Sequence, residues 1–206
     1  MSRLALALLL VVPALSACGS ETPAPAPEPA AYAGMVRDPA PRVDGTTLPD
    51  AESGDPFRFR AGRRGVLLVY FGYTQCPDVC PTTMSDVRVG LAGLSASERN
   101  RVRVAMITVD PRRDTPAVLT HYVHAFFPRG LALRTTDPRR LTAVARSFGA
   151  AYRVTRQKDG TVDVMHSAFV YAVYANGRSR LQWAFGTPAA SYRKDIRRLL
   201  REGMPA

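Results

Sequence analysis

Apolar positions along the chain fall into two kinds of run. Residues 66–71 (VLLVYF) and 102–109 (VRVAMITV) are short stretches dense in branched and aromatic residues, the pattern of strands covered on both faces. Elsewhere the spacing is helical. Val79, Met84, Val87, Leu91 and Leu94 predict a helix over 79–94, with Pro81 tolerated in its first turn. Val118, Leu119, Tyr122, Val123 and Phe126 predict another over 115–127. Leu141, Val144, Ala145 and Phe148 predict a third that starts at Pro138, with Asp137 as N-cap, and ends near Gly149. Residues 167–175 and 179–185 read as strands joined at Asn176-Gly177, a strong hairpin signal. A last amphipathic helix over 189–201 turns Tyr192, Ile196, Leu199 and Leu200 inward and its arginines outward.

Strands alternating with helices, then a hairpin and a helix, imply an α/β domain: a mixed central sheet with helices on both faces. At 206 residues the chain is long enough for one domain with a real core. No internal repeat is visible, and the folded domain is expected over 42–206.

The segment before it has a different character. Arg3 followed by the apolar run 4–12 is too short to cross a bilayer and reads as a signal peptide over 1–17. Leu15-Ser16-Ala17-Cys18 resembles the lipobox of bacterial lipoproteins, which implies cleavage before Cys18 and lipidation of its thiol. Two acyl chains would give firm anchoring on the extracytoplasmic face of an envelope membrane. Residues 18–41 then form a Pro/Ala-rich tether, in which Pro23, Pro25, Pro27 and Pro29 favour an extended chain rising about 3.1 Å per residue.

The formal charge of +11 raises the question of a polyanionic partner. Of 28 basic residues only Lys158 and Lys194 are lysines, and the arginines are scattered between apolar segments without a basic block. No nucleic-acid module motif is present, so nucleic acid is not an expected partner, while attraction to anionic headgroups follows from the sign of the charge.

With Cys18 assigned to lipid, Cys76 and Cys80 are left to be explained together. They lie in Cys76-Pro77-Asp78-Val79-Cys80-Pro81, where the first buried strand hands over to a helix. Cysteines at i and i+4 can put both sulfurs on one side, able to pair or to grip one ion. The positive end of the helix there is expected to favour thiolate. A third ligand would have to be a histidine. His121 and His124 share a predicted helix surface and receive no role; His166 sits at a strand mouth after the irregular polar stretch 157–163. Two thiolates and an imidazole suit copper, cuprous or cupric, better than structural zinc, which wants a fourth protein ligand.

Three segments in order carry a more specific signal: Tyr70-Phe71-Gly72-Tyr73-Thr74 running into Cys76-Pro77-Asp78-Val79-Cys80-Pro81-Thr82-Thr83, then Val109-Asp110-Pro111 with Arg113-Asp114-Thr115-Pro116, then His166-Ser167-Ala168-Phe169. Over about 42–202 the chain resembles the Sco/SenC family of copper chaperones for cytochrome c oxidase. The resemblance implies a thioredoxin-like fold, copper held by Cys76, Cys80 and His166, and delivery to the dinuclear copper site of cytochrome c oxidase subunit II or to another copper protein. Gln75 and Met165 depart from residues common in the family, and a thioether at 165 cannot tune the neighbouring imidazole as a carboxylate would. Within the same fold, a thiol-disulfide oxidoreductase keeping the cysteines of that copper site reduced would use Cys76 and Cys80 as its redox pair and need no His166. A peroxidase-like redoxin fits the vicinal pair less well. Asp110 and Asp114 read as a helix start, with Asp114 capping the helix from Thr115 and Pro116 in its second position.

Overall fold

A computed structural model describes residues 31–202, so the expected signal peptide, Cys18 and the tether as far as residue 30 lie outside the described residues. In chain order the elements are β1 (Met35–Val36), β2 (Thr47–Pro49), β3 (Pro56–Arg58), β4 (Val66–Gly72), α1 (Val79–Ala92), α2 (Ala96–Arg99), β5 (Val102–Thr108), α3 (Pro116–Phe126), β6 (Leu131–Leu133), α4 (Pro138–Phe148), β7 (Tyr152–Arg156), β8 (Val162–His166), β9 (Phe169–Val173), β10 (Ser179–Ala184) and α5 (Ala189–Glu202). Six strands form one sheet in the order β1-β10-β9-β4-β5-β6. β4, β5 and β6 run parallel, while β9 pairs antiparallel with β4 and continues through β10 to β1.

The apolar run of β4 is central because it is buried along its whole length. Its alternate side chains feed two cores. Val66, Leu68 and Tyr70 point to the layer of α1, α3 and α5, with Met84, Leu119, Val123, Tyr192 and Ile196. Leu67, Val69 and Phe71 point to the opposite layer, with Leu141, Val144 and Phe148 of α4 and with Leu48 and Phe59. Helices therefore cover both faces, as the strand and helix order implied. Asp137 caps α4 through the Arg139 N–H, Pro138 takes N1, and Gly149 closes the helix at φ 67°.

Several boundaries differ from the sequence expectation. The fold is already in place at β1, whose Met35 and Val36 pair with Gln182 and Leu181, and just before it the Ala33 and Gly34 N–H groups donate to the buried Asp195 carboxylate. A start at 42 would cut these contacts away. Val118 faces solvent; Leu119 and Val123 carry the buried face of α3. Of the stretch 157–163, residues 157–161 are an irregular turn and 162–163 begin a strand: β7 and β8 form an antiparallel two-stranded ribbon, outside the main sheet, with register Tyr152 opposite His166 and Arg156 opposite Val162. His166 therefore ends β8 and does not open the next strand, which begins at Phe169.

Candidate metal centre

β4 reaches its end at Gly72, and the chain crosses a short loop before α1 starts at Val79. A β-carbon at Gly72 would press on the Tyr70 ring, the Cys80 sulfur and the Met106 methyl, so glycine makes room for the sulfur. The N-cap position of α1, Asp78, makes no side-chain capping bond; instead the Cys80 N–H donates to Cys76 Sγ at 3.3 Å. A sulfur thus occupies a helix start, where N–H groups lack intrahelical partners. Both cysteines are buried and unpaired.

His166 arrives from the other side, on the last residue of β8. Its Nε2 lies 3.6 Å from Cys80 Sγ, and the ligand atoms of Cys76, Cys80 and His166 all fall within 4.8 Å of one another. Nδ1 faces the Ser167 carbonyl at 3.2 Å. A proton on Nδ1 satisfies that carbonyl and leaves the Nε2 lone pair aimed at the sulfurs, the tautomer a metal needs. The ring stands edge-on to Tyr70 and Tyr73, each centroid 5.9 Å away.

Burial dominates the electrostatics. It pushes the Cys80 thiol up to about 12, with Cys76 adding to the effect. The expected preference for thiolate is therefore reversed at Cys80, because loss of solvation outweighs the helix terminus. Burial likewise holds the His166 imidazole below its ordinary value, which keeps it neutral. The Tyr73 hydroxyl, beside Cys76, rises to about 12. A soft cation entering here must displace the thiol proton, but meets an imidazole whose Nε2 is free of one.

The surrounding loop is held by two buried aspartates. Asp114 does not cap α3: Thr115 does, accepting from the Val118 N–H, and Pro116 is the first helical residue. The Asp114 carboxylate instead accepts from the Thr74 N–H, from Thr74 Oγ1 at 2.6 Å and from Thr108 Oγ1 at 2.5 Å, tying the loop to β5. Asp110 pairs with Arg113 and, at 2.6 Å, with Arg156 of β7. Arg113 also donates to Gln75 Oε1 at 3.0 Å and lies over the Tyr73 ring.

Cys76, Cys80 and His166, the three ligand candidates of the sequence, lie together in the structure, whereas Tyr73, Arg113 and Arg156 received no role from the sequence. The missed signal was Asp159-Gly160, a hairpin turn between Y-R-V-T-R and V-D-V-M-H, with Gly160 at φ 89°. His121 is exposed and His124 faces the Gly130 carbonyl; neither joins the cluster. Met165 is 67% exposed on the rim beside His166.

This fold and site define a thioredoxin-like domain with a Cys/Cys/His cluster at the strand-to-helix turn. The SCO1/SenC family pattern matches residues 51–201, and the chain belongs to that family. It is 33% identical over 129 residues to a SCO2-like protein of Rickettsia prowazekii, covering 62% of this chain and 62% of that protein's length. Apo Sco1 of Thermus thermophilus superposes with a TM-score of 0.71 at 31% identity, covering 82% of this chain and 97% of that one. Copper-bound ScoI of Bradyrhizobium japonicum superposes with a TM-score of 0.63 at 27% identity, covering 80% and 98%.

Proposed function

We propose that this protein is an extracytoplasmic copper metallochaperone that takes copper as cargo through Cys76, Cys80 and His166. Its recipient would be the dinuclear copper site of cytochrome c oxidase subunit II. One observation carries the reading: a half-buried imidazole, neutral and with Nε2 turned to the sulfurs, converges on two thiols that it has no need to touch in a dithiol enzyme. The donor set fits the cargo, since two soft sulfurs and one nitrogen match cuprous ion and leave structural zinc short of a ligand. Copper bound to a similar fold in the Bradyrhizobium ScoI structure supports the same reading. Handover would proceed by exchange of thiolates between donor and acceptor sites.

A thiol-disulfide oxidoreductase keeping the recipient's cysteines reduced is the second reading, supported by two adjacent free cysteines. The Cys80 thiol, pushed up to about 12, is a weak attacking group at neutral pH, and this reading leaves His166 without a task. Anchoring through Cys18, which the lipobox-like run Leu15-Ser16-Ala17-Cys18 supports, completes the proposal.

The test is an anaerobic copper titration of the reduced protein against a cuprous chelator, alongside His166→Ala. Tight one-to-one binding, weakened at least about tenfold in the variant, is expected for a chaperone site. Weak binding in both proteins, with a readily reversible Cys76-Cys80 disulfide, would move the assignment to the oxidoreductase.

A further inference from the structure

Two separate pieces of chain must meet to make the cluster, and only one belongs to the main sheet. Cys76 and Cys80 lie at the end of β4 and the start of α1, whereas His166 is carried by the β7–β8 ribbon, which shares no strand pairing with the six-stranded sheet. A two-stranded ribbon is marginal by itself, so its position depends on what ties it down. Near the His166 end, Tyr152 and Val164 pack against the apolar core, and the Tyr152 hydroxyl lies 3.2 Å from Thr142 Oγ1 of α4. Toward the turn, the tie is the Arg156 guanidinium, bonded at 2.6 Å to Asp110 Oδ1.

Asp110 is 1% exposed, and its other oxygen accepts from Arg113, whose guanidinium reaches Gln75 beside Cys76 and covers the Tyr73 ring. One buried carboxylate therefore grips one arm leading to the cysteine loop and one leading to the histidine ribbon. Its own N–H end is fixed by Thr108 Oγ1, at the end of β5. A buried carboxylate shared by two guanidinium groups is stiff, because releasing either arm leaves one of its oxygens without a partner where water cannot easily replace it.

We infer that Asp110 is a positioning residue for the metal centre: through Arg156 it fixes the ribbon so that His166 stays in reach of Cys76 and Cys80. Its role here goes beyond starting a helix. The inference rests on the reading of those three residues as copper ligands. It predicts that loosening the clamp acts through His166, and so on copper retention more than on the cysteines.

The experiment loads the full-length chain with copper(I) and times its transfer to a cuprous chelator. The chains compared are the unsubstituted protein, Arg156→Gln, Asp110→Asn, His166→Ala, and Arg156→Gln combined with His166→Ala. Circular dichroism and thermal unfolding are followed in parallel. Arg156 is 31% exposed, so its substitution keeps the clamp testable should the buried Asp110→Asn fail to fold. Arg156→Gln and Asp110→Asn, where folded, are expected to release copper at least about fivefold faster, and Arg156→Gln to add less than about twofold when His166 is already alanine. Equal acceleration in both backgrounds, or none in the single variant, overturns the clamp. Should His166→Ala itself leave release unchanged, the ligand reading falls and takes the clamp with it; faster release in His166→Ala alone rejects the clamp and spares the ligands.

Discussion

A histidine and a cysteine side by side titrate in opposite directions away from their ordinary values. Burial holds His166 low, so an unfolded chain binds that proton first as pH falls. The stability it contributes is present above about 6.5 and declines as pH drops through the window just beneath. Cys80 is raised from its ordinary 9.0 to about 12, so the folded chain keeps that proton longer and loses stability as pH climbs from about 9 toward 12. Denaturant unfolding of the reduced, metal-free protein between about pH 5 and pH 11 should therefore show a plateau that falls at both ends; a steady rise above about pH 9 would contradict the burial of Cys80. Copper competes with the Cys80 proton, so apparent affinity should increase with pH across the neutral range, measured by chelator competition. Asp114 acts on stability in another way. Its carboxylate collects donors from Thr74 and Thr108, and Asp114→Ala should cost about 3 kcal/mol in urea unfolding by leaving them unpaired inside.

Among the elements, those with long, buried or strongly periodic faces are the ones whose residues announce them. The β9–β10 hairpin turns at Asn176-Gly177, where Gly177 has φ 74° and an added β-carbon would fall inside the Asp44 carboxylate held by Arg42 and Arg60. Gly177→Ala should lower stability by at least about 2 kcal/mol, read from thermal unfolding; a change within about 0.5 kcal/mol would show that the turn can relax. β4 and β5 were legible because their runs are buried on both faces, and α4 because its cap, its proline and its closing glycine agree with its apolar stripe. β2, β3 and β6 are three residues each, too short to display a period. The ribbon alternates half-buried and exposed positions, yet its polar composition hid the pattern. The cysteine pair was legible from spacing. The part played by Asp110 was not, since the same Asp-Pro-Arg-Arg-Asp-Thr-Pro string looks like a helix start until Arg156, 46 residues on, is seen to reach it.

At the scale of the molecule, the N-terminal segment and the C-terminal helix are joined by one buried acid. Asp195 of α5 accepts from the Trp183 indole at 2.9 Å and from Gly34 at 2.9 Å, just before β1 covers the β10 edge. A chain beginning at 32 should melt like the full protein, whereas one beginning at 42 should melt several degrees lower and associate through the bared edge, visible by light scattering. Equal melting of the two would remove β1 from the account of stability. The Cys80–His166 approach spans 86 residues of sequence, and under the ligand assignment proposed above that separation has a consequence for the order of events in the cell. If the chain is exported as proposed, one still crossing the membrane would own at most a two-sulfur site, since the imidazole comes into range only when the ribbon has docked. Cargo would therefore be retained by finished molecules and shed by incomplete ones, and each loaded copy would be steadied by its own load. Holding copper would then certify that folding is done, so the recipient would meet donors that have already passed inspection.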